Sequence, residues 1–259
     1  MPEVMVQGAR LSYDTAGPEH APVLMLSHAL GTSRELFDDQ FAAFSDRFRV
    51  IRHDMRGHGK SGSPAGEYAI AELGSDVLRI LDEVGAERAH VVGVSLGGLT
   101  TMWLAIHAPA RIGKIVLANT AGRVGSREHW QARIDQVRAN GFAAIAEAAP
   151  ARWFTPRFVA GRPETVAAYQ AMLSACDREG YSGCCAALRD ADVRPDLARI
   201  TAPTLIVTGI SDPVCPPSDA AYLRERIRGA GYLELDAAHY SNVERAGEFT
   251  EATLQFLGG

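Results

Sequence analysis

A chain of 259 residues, 47% of them hydrophobic, is long enough to bury one large core. Its 26 basic and 31 acidic side chains leave a formal charge of -5, which gives no basic field to gather nucleic acid or anionic lipid and favours a small-molecule or protein partner. No apolar run approaches the ~20 residues that span a bilayer, and Met1 to Arg10 carries neither a basic nor an apolar leader segment, so the expectation is a soluble, cytoplasmic protein.

The first half alternates short apolar runs with amphipathic stretches, the pattern of βαβ units around a parallel sheet. The strands expected are Met5 to Gln7, Ser12 to Thr15, Val23 to Ser27, Arg49 to His53, His90 to Val94 and Lys114 to Ala118. Between them, Ile70 to Val84 places Leu73, Val77, Ile80 and Leu81 at helical spacing, and Leu99 to His107 reads as an almost wholly apolar helix suited to burial against a sheet. From about Gly125 to Pro195 there is no strand pattern, only helical segments such as Trp130, Ile134, Val137 and then Val166, Tyr169, Met172, Cys176. The alternation resumes with Thr204 to Thr208, a helix after Pro217, the strand Gly231 to Leu235 and a terminal helix near Leu257. The fold class predicted is α/β, a mostly parallel eight-stranded sheet flanked by helices. Residues 1-124 and 196-259 would form its core, and residues 125-195 a helical cap inserted after the sixth strand. Cys176, Cys184, Cys185 and Cys215 contain no C-x-x-C pair and suit buried thiols better than a metal site or a disulfide framework.

Gly93-Val94-Ser95-Leu96-Gly97 is a G-x-S-x-G pentapeptide. Composition alone would produce one in about one chain in eight of this size, so its context carries the weight. An apolar strand run precedes it and a helical run follows, which puts the Ser95 hydroxyl on a sharp turn at the top of a sheet, with flanking glycines that let the backbone turn tightly. A serine hydroxyl attacks only when a base takes its proton, so a histidine backed by a carboxylate must come from elsewhere. Asp212 lies in a loop after the strand Thr204 to Thr208, and His239 in a loop after Gly231 to Leu235. The order Ser, Asp, His is the one used by such strand-turn-helix serine enzymes. Asp54 and Asp236 are competing acids; Asp54 sits before the turn Arg56-Gly57-His58-Gly59, where a structural role is natural. Of the other histidines, His28 is placed to shape the loop expected to supply an oxyanion donor. The oxyanion of a tetrahedral intermediate needs two N-H donors, expected to be the backbone N-H of Leu96 and that of Leu30 in His28-Ala29-Leu30-Gly31-Thr32.

These residues together resemble the 3-oxoadipate enol-lactonases of the α/β-hydrolase superfamily along essentially the whole chain. The superfamily likeness rests on Asp54 to Ser61, Gly93 to Gly98 and the Asp212 and His239 loops. The lactonase likeness rests on Leu30-Gly31-Thr32, Arg152 to Pro156, Tyr181 to Asp190 and His239 to Glu244. His28-Ala29 departs from the Asn-Ser of many members, which leaves the backbone donor intact. The resemblance implies opening of a five-membered enol-lactone with a carboxymethyl arm, an anionic small-molecule substrate, through an acyl-enzyme in aromatic-compound degradation. It implies no metal and no organic cofactor. The substrate carboxylate would need a cation, for which Arg34 and Arg133 are candidates, with Trp130 and Trp153 as apolar walls. A carboxylesterase, perhydrolase or carbon-carbon bond hydrolase of the same fold is the nearest alternative, and a non-catalytic ligand receptor a more distant one.

Overall fold

The sequence arranges eight strands into one sheet, described over residues 2-258 by a computed structural model. In chain order these are β1 (Glu3–Val6), β2 (Ala9–Ala16), β3 (Val23–Ser27), β4 (Arg49–His53), β5 (Ala89–Val94), β6 (Ile112–Ala118), β7 (Thr204–Gly209) and β8 (Gly231–Leu235). In space they run β1-β2-β4-β3-β5-β6-β7-β8. The β1-β2 and β2-β4 pairs are antiparallel and the remaining five are parallel. Val91, Val92 and Val94 of β5 and Ile115 to Ala118 of β6 are buried on both faces, which is why they read as unbroken apolar runs and not as alternation.

The expected strands are all present; Val23–Ser27, Arg49–His53 and Gly231–Leu235 have the expected ends and the others are shifted. The first runs over Glu3–Val6 instead of Met5 to Gln7, because Gln7 and Gly8 take positive φ (45° and 80°) and make the hairpin turn into β2. The strand expected from Lys114 begins at Ile112, where the chain leaves a short 3-10 turn.

Helices α1 (Asp38–Ser45), α2 (Ile70–Glu83) and α3 (Leu96–His107) fall between strands of the first half. The apolar stripe of α2 is buried as its spacing requires: Leu73, Val77, Ile80 and Leu81 are all inside. Helix α3 starts three residues before the expected Leu99. Gly97 and Gly98 look like helix breakers in sequence, yet they occupy its first turn because neighbouring backbone and Thr120 approach too closely for a side chain.

Between β6 and β7 there are only helices: α4 (Arg127–Asn140), α5 (Ala143–Ala148), α6 (Pro150–Trp153), α7 (Pro156–Gly161), α8 (Pro163–Ser174) and α9 (Arg178–Asp190), then a 3-10 turn. Helix α9 is buried along most of its length, and Gly183 O accepts the Tyr68 N-H at 3.1 Å. Its Gly180 lies so near Gly57 that a Cβ on either would fall within 2.4 Å of the other's backbone. The chain closes with α10 (Pro217–Arg226), α11 (Ser241–Glu244) and α12 (Ala246–Gly258). Among the described residues no helix is long and apolar enough to cross a membrane.

Candidate active site

Parallel pairing brings the carboxyl ends of β5, β6, β7 and β8 to one rim, since Val94 lies opposite Ala118, Ala118 opposite Val207 and Gly209 opposite Leu235. Loops leaving that rim carry the polar groups, as is usual for open α/β sheets.

Ser95 sits between β5 and α3 with φ 55° and ψ -114°, a backbone state that costs a non-glycine residue roughly 1 to 3 kcal/mol. The surroundings enforce it: Ser95 N-H donates to Ala118 O at 3.0 Å, and Ser95 O accepts from Thr120 Oγ1 at 2.7 Å and from Leu99 N at 3.0 Å. The two flanking glycines do not supply the turn by positive φ, contrary to expectation; Ser95 itself does. Their role is close approach. A Cβ at Gly93 would lie 2.3 Å from Gly97 O, and one at Gly97 would lie 2.0 Å from Ser27 O. Gly97→Ala is therefore expected to lower stability by about 3 kcal/mol, as a substitution that must displace backbone. Gly161→Ala, where a Cβ meets nothing within 4 Å, should be nearly neutral. Denaturant unfolding of both variants is the check.

The three residues predicted from sequence meet. Ser95 Oγ is 3.0 Å from His239 Nε2, and His239 Nδ1 is 2.8 Å from Asp212 Oδ2, with all three side chains buried. Burial alone would raise the pKa of Asp212. The His239 ring at Oδ2, the Asn119 amide at 3.0 Å and the Cys215 N-H outweigh it and hold the carboxyl below the usual carboxylate value. It is ionised at neutral pH and fixes the ring with its proton on Nδ1, which leaves Nε2 to accept from the serine.

Two residues that complete this arrangement escape sequence reasoning. Asn119, at the end of β6 with φ 48°, donates to Asp212 Oδ2 and to Ala238 O while accepting from Ser241 Oγ at 2.5 Å. The only sequence hint is that asparagine tolerates left-handed backbone. Glu244 takes the Ala238 N-H at 2.8 Å and both the N-H and the hydroxyl of Thr155, at 3.1 and 2.7 Å. With the Tyr240 N-H donating to Trp153 O at 3.0 Å, it ties the histidine loop to α6 and α7.

Ser95, His239 and Leu30 line a cavity of about 160 Å³. A wider surface groove of about 1190 Å³ along α12 includes none of the three in its lining and so lacks the reactive groups. Trp130 and Trp153 line the smaller cavity as expected, Trp130 tied to Val124 O at 2.6 Å and Trp153 stacked on Tyr240. The Leu30 N-H has no acceptor among the described residues. Leu96 opens α3, whose first N-H groups have no partner inside the helix.

The cations divide differently from expectation. Arg34 does not reach the cavity: its guanidinium is buried against Asp54 Oδ2 at 2.8 Å and Ser12 Oγ at 2.9 Å. A buried arginine without a carboxylate would be expensive, and Asp54 fills that need. Arg133 does line the cavity, near the Tyr181 hydroxyl, and with it stands Arg152, which sequence reasoning did not single out as a cation. Neither has a carboxylate at salt-bridge distance among the described residues. Burial and then the neighbouring Arg133 lower the pKa of Arg152, and burial followed by both guanidiniums lowers that of His129. This is a corner of concentrated positive charge that lacks a counter-ion.

Compared with known families, residues 22-246 match the one described as alpha/beta hydrolase fold. The chain is 43% identical to 3-oxoadipate enol-lactonase 2 of Acinetobacter baylyi, over 95% of this chain and 92% of that one. It is 38% identical to 3-oxoadipate enol-lactonase 1 of the same organism, over 97% and 94%. Among solved structures, the enol-lactonase from Burkholderia xenovorans superposes with a TM-score of 0.98 at 40% identity, covering 100% of both chains.

Proposed function

The chain belongs to the α/β-hydrolase family, and from that premise we propose that it is a serine hydrolase converting 3-oxoadipate enol-lactone to 3-oxoadipate. Ser95 is the nucleophile, His239 the general base and acid, and Asp212 the group that orients the ring. His239 Nε2, 3.0 Å from Ser95 Oγ, takes the hydroxyl proton as the oxygen attacks the lactone carbonyl. The oxyanion is received by the N-H groups of Leu30 and Leu96 at the positive end of α3. Collapse breaks the ring C-O bond, and the imidazolium returns its proton to the leaving enolate, whose ketonisation makes reclosure unfavourable. Water, deprotonated by His239, then cleaves the acyl ester and releases the dicarboxylate.

The observation that carries the substrate class is the Arg133 and Arg152 pair facing a cavity shared with Ser95 and His239. Two guanidiniums without a carboxylate partner among the described residues, in a partly dry site, select for an anion. At about 160 Å³ the cavity is well below the ~300 to 1,000 Å³ typical of drug-sized ligands, which suits a small ring with one short acidic arm. Trp130 and Trp153 supply the apolar walls.

The test is kcat/KM on freshly generated enol-lactone beside a neutral aryl ester. Arg152→Met and Arg133→Met keep much of the stem packing and remove the charge. A charge-assisted hydrogen bond is worth about 1.5 to 3 kcal/mol, so kcat/KM for the lactone should fall about 10- to 150-fold while the aryl ester changes little. Equal losses on both substrates would point to damaged packing, and a wild-type preference for the neutral ester would favour the carboxylesterase reading.

A further inference from the structure

The segment between β3 and α1 that carries Leu30 is held by two histidines for which the mechanism above has no use. Gly31 N-H donates to His58 Nε2 at 3.0 Å, and Met55 N-H donates to His28 Nε2 at 2.9 Å. A backbone N-H can only donate, so both Nε2 atoms are unprotonated. Each Nδ1 in turn faces a carbonyl: Ala29 O at 2.8 Å for His28 and Arg56 O at 3.1 Å for His58. Four bonds thus define one tautomer for both rings, neutral with the proton on Nδ1. Thr32 closes the loop through Ala29 O, by its N-H at 3.2 Å and its hydroxyl at 2.8 Å. Within this turn Gly31 has φ 76°, and its N-H is consumed by His58, while the adjacent Leu30, whose N-H has no acceptor among the described residues, lines the cavity with Ser95.

We propose that His28 and His58 are positioning residues that build the oxyanion loop, each accepting a backbone N-H on Nε2 so that the Leu30 N-H is left aimed at the substrate carbonyl. The inference rests on the serine-hydrolase reading of the site. It assigns a function to His58, which stands in the Gly57-His58-Gly59 turn distant in sequence from Leu30, and gives the His28 side chain the bonds by which it acts.

The surroundings keep both rings neutral. His28 and His58 are buried with ring centroids 5.4 Å apart, His53 lies 6.2 Å from His28, and Tyr181 lies 6.2 Å from His58. Cys184 Sγ is 4.0 Å from His58 Nδ1, and the Arg34 charge acts on His28. No carboxylate oxygen hydrogen-bonds either ring among the described residues. Burial pushes His58 down to about 4, and burial, His58 and His53 push His28 well below its ordinary value. Protonation would set an imidazole N-H against a backbone N-H and break the loop, and at neutral pH it does not occur.

Two measurements test this. The imidazole 15N spectrum of the wild-type protein at neutral pH should show His28 and His58 as Nδ1-H tautomers, the minority form of free imidazole side chains. Second, kcat is measured per active site titrated with an organophosphonate, so that unfolded molecules are not counted. One whole oxyanion donor is worth about 100- to 1,000-fold in kcat, and His58→Ala should forfeit about 10- to 100-fold of it on both the enol-lactone and a neutral aryl ester, with KM little changed. His58→Gln, whose amide oxygen reaches the position of Nε2, should recover most of the loss. A proton on Nε2 of either ring overturns the proposal. So does a His58→Ala protein whose kcat per titrated site stays within about twofold of wild type, since a ring that only fills the core would lower thermal stability without slowing the surviving sites. Should His58→Ala not fold, the tautomers and His58→Gln decide. The aryl ester keeps the test independent of the lactone: if that ester is hydrolysed and the enol-lactone is not, the substrate assignment fails while the role of the histidines is still measured.

Discussion

Ser95→Ala and His239→Ala are each expected to reduce kcat by about 10⁵- to 10⁶-fold, and the double variant should be little worse than either alone. The reason is geometric. With Ser95 Oγ 3.0 Å from His239 Nε2, the two groups form one device for generating an alkoxide, and removing either removes the whole of it. What survives is stabilisation of the oxyanion by backbone N-H groups, which substitutions at 95 and 239 leave in place. The wild-type protein should consume one equivalent of an organophosphonate and the Ser95→Ala protein none. A folded Ser95→Ala protein within tenfold of wild type would remove Ser95 from the mechanism.

The second large effect is expected from Asp212→Asn, about 10⁴-fold in kcat at neutral pH. All four bonds accepted by the Asp212 carboxylate come from donors: His239 Nδ1 and Asn119 Nδ2 at Oδ2, Val214 N and Cys215 N at Oδ1. An amide has only one accepting atom, so its NH2 must confront donors in either orientation. If the NH2 takes the place of Oδ2, His239 can relieve the conflict only by moving its proton to Nε2. There it faces Ser95 and can no longer accept. If the NH2 takes the place of Oδ1, it meets two backbone N-H groups and the loop has to shift. Asn119→Ala removes one donor and leaves the remaining three, so a smaller loss is expected. Steady-state kinetics across the neutral range separates these cases. An Asp212→Asn enzyme within tenfold of wild type would mean that another group orients the ring.

Both predictions concern residues legible in the sequence, and for a physical reason. Ser95, Asp212 and His239 each follow an apolar strand run and lie in a loop at its end, so local pattern and chain order located them without knowledge of their distance from one another. The strands were legible for the same reason, because a parallel sheet buried on both faces demands unbroken apolar runs. Even locally the pentapeptide misleads: the strain of the turn falls on Ser95, and Gly93 and Gly97 are there because backbone from elsewhere leaves no room for a Cβ. That is a contact between segments, invisible in the pentapeptide itself.

Among 26 basic side chains, nothing in the sequence separates an arginine that faces a substrate from one that faces a buried carboxylate. Arg34 is a candidate from sequence, but Asp54, twenty residues away, takes its charge. Arg152 stands near Arg133 only because α4 and α6 line the same cavity, and a guanidinium acquires meaning from what it lacks nearby. The same holds for Asn119, for Glu244 bridging to Thr155 and for His58, whereas His28 is legible as a loop-shaping residue and only its partner, the Met55 N-H, is not. Sequence by itself located the strands along the chain, the turn that bears Ser95 and the candidate base and acid, since each is set by neighbours along the chain. Tertiary structure alone decided which cations lack a carboxylate partner, which amides orient the acid and which N-H is left without an acceptor among the described residues, because hydrogen-bond partners and counter-ions are supplied across space by segments far apart in the chain.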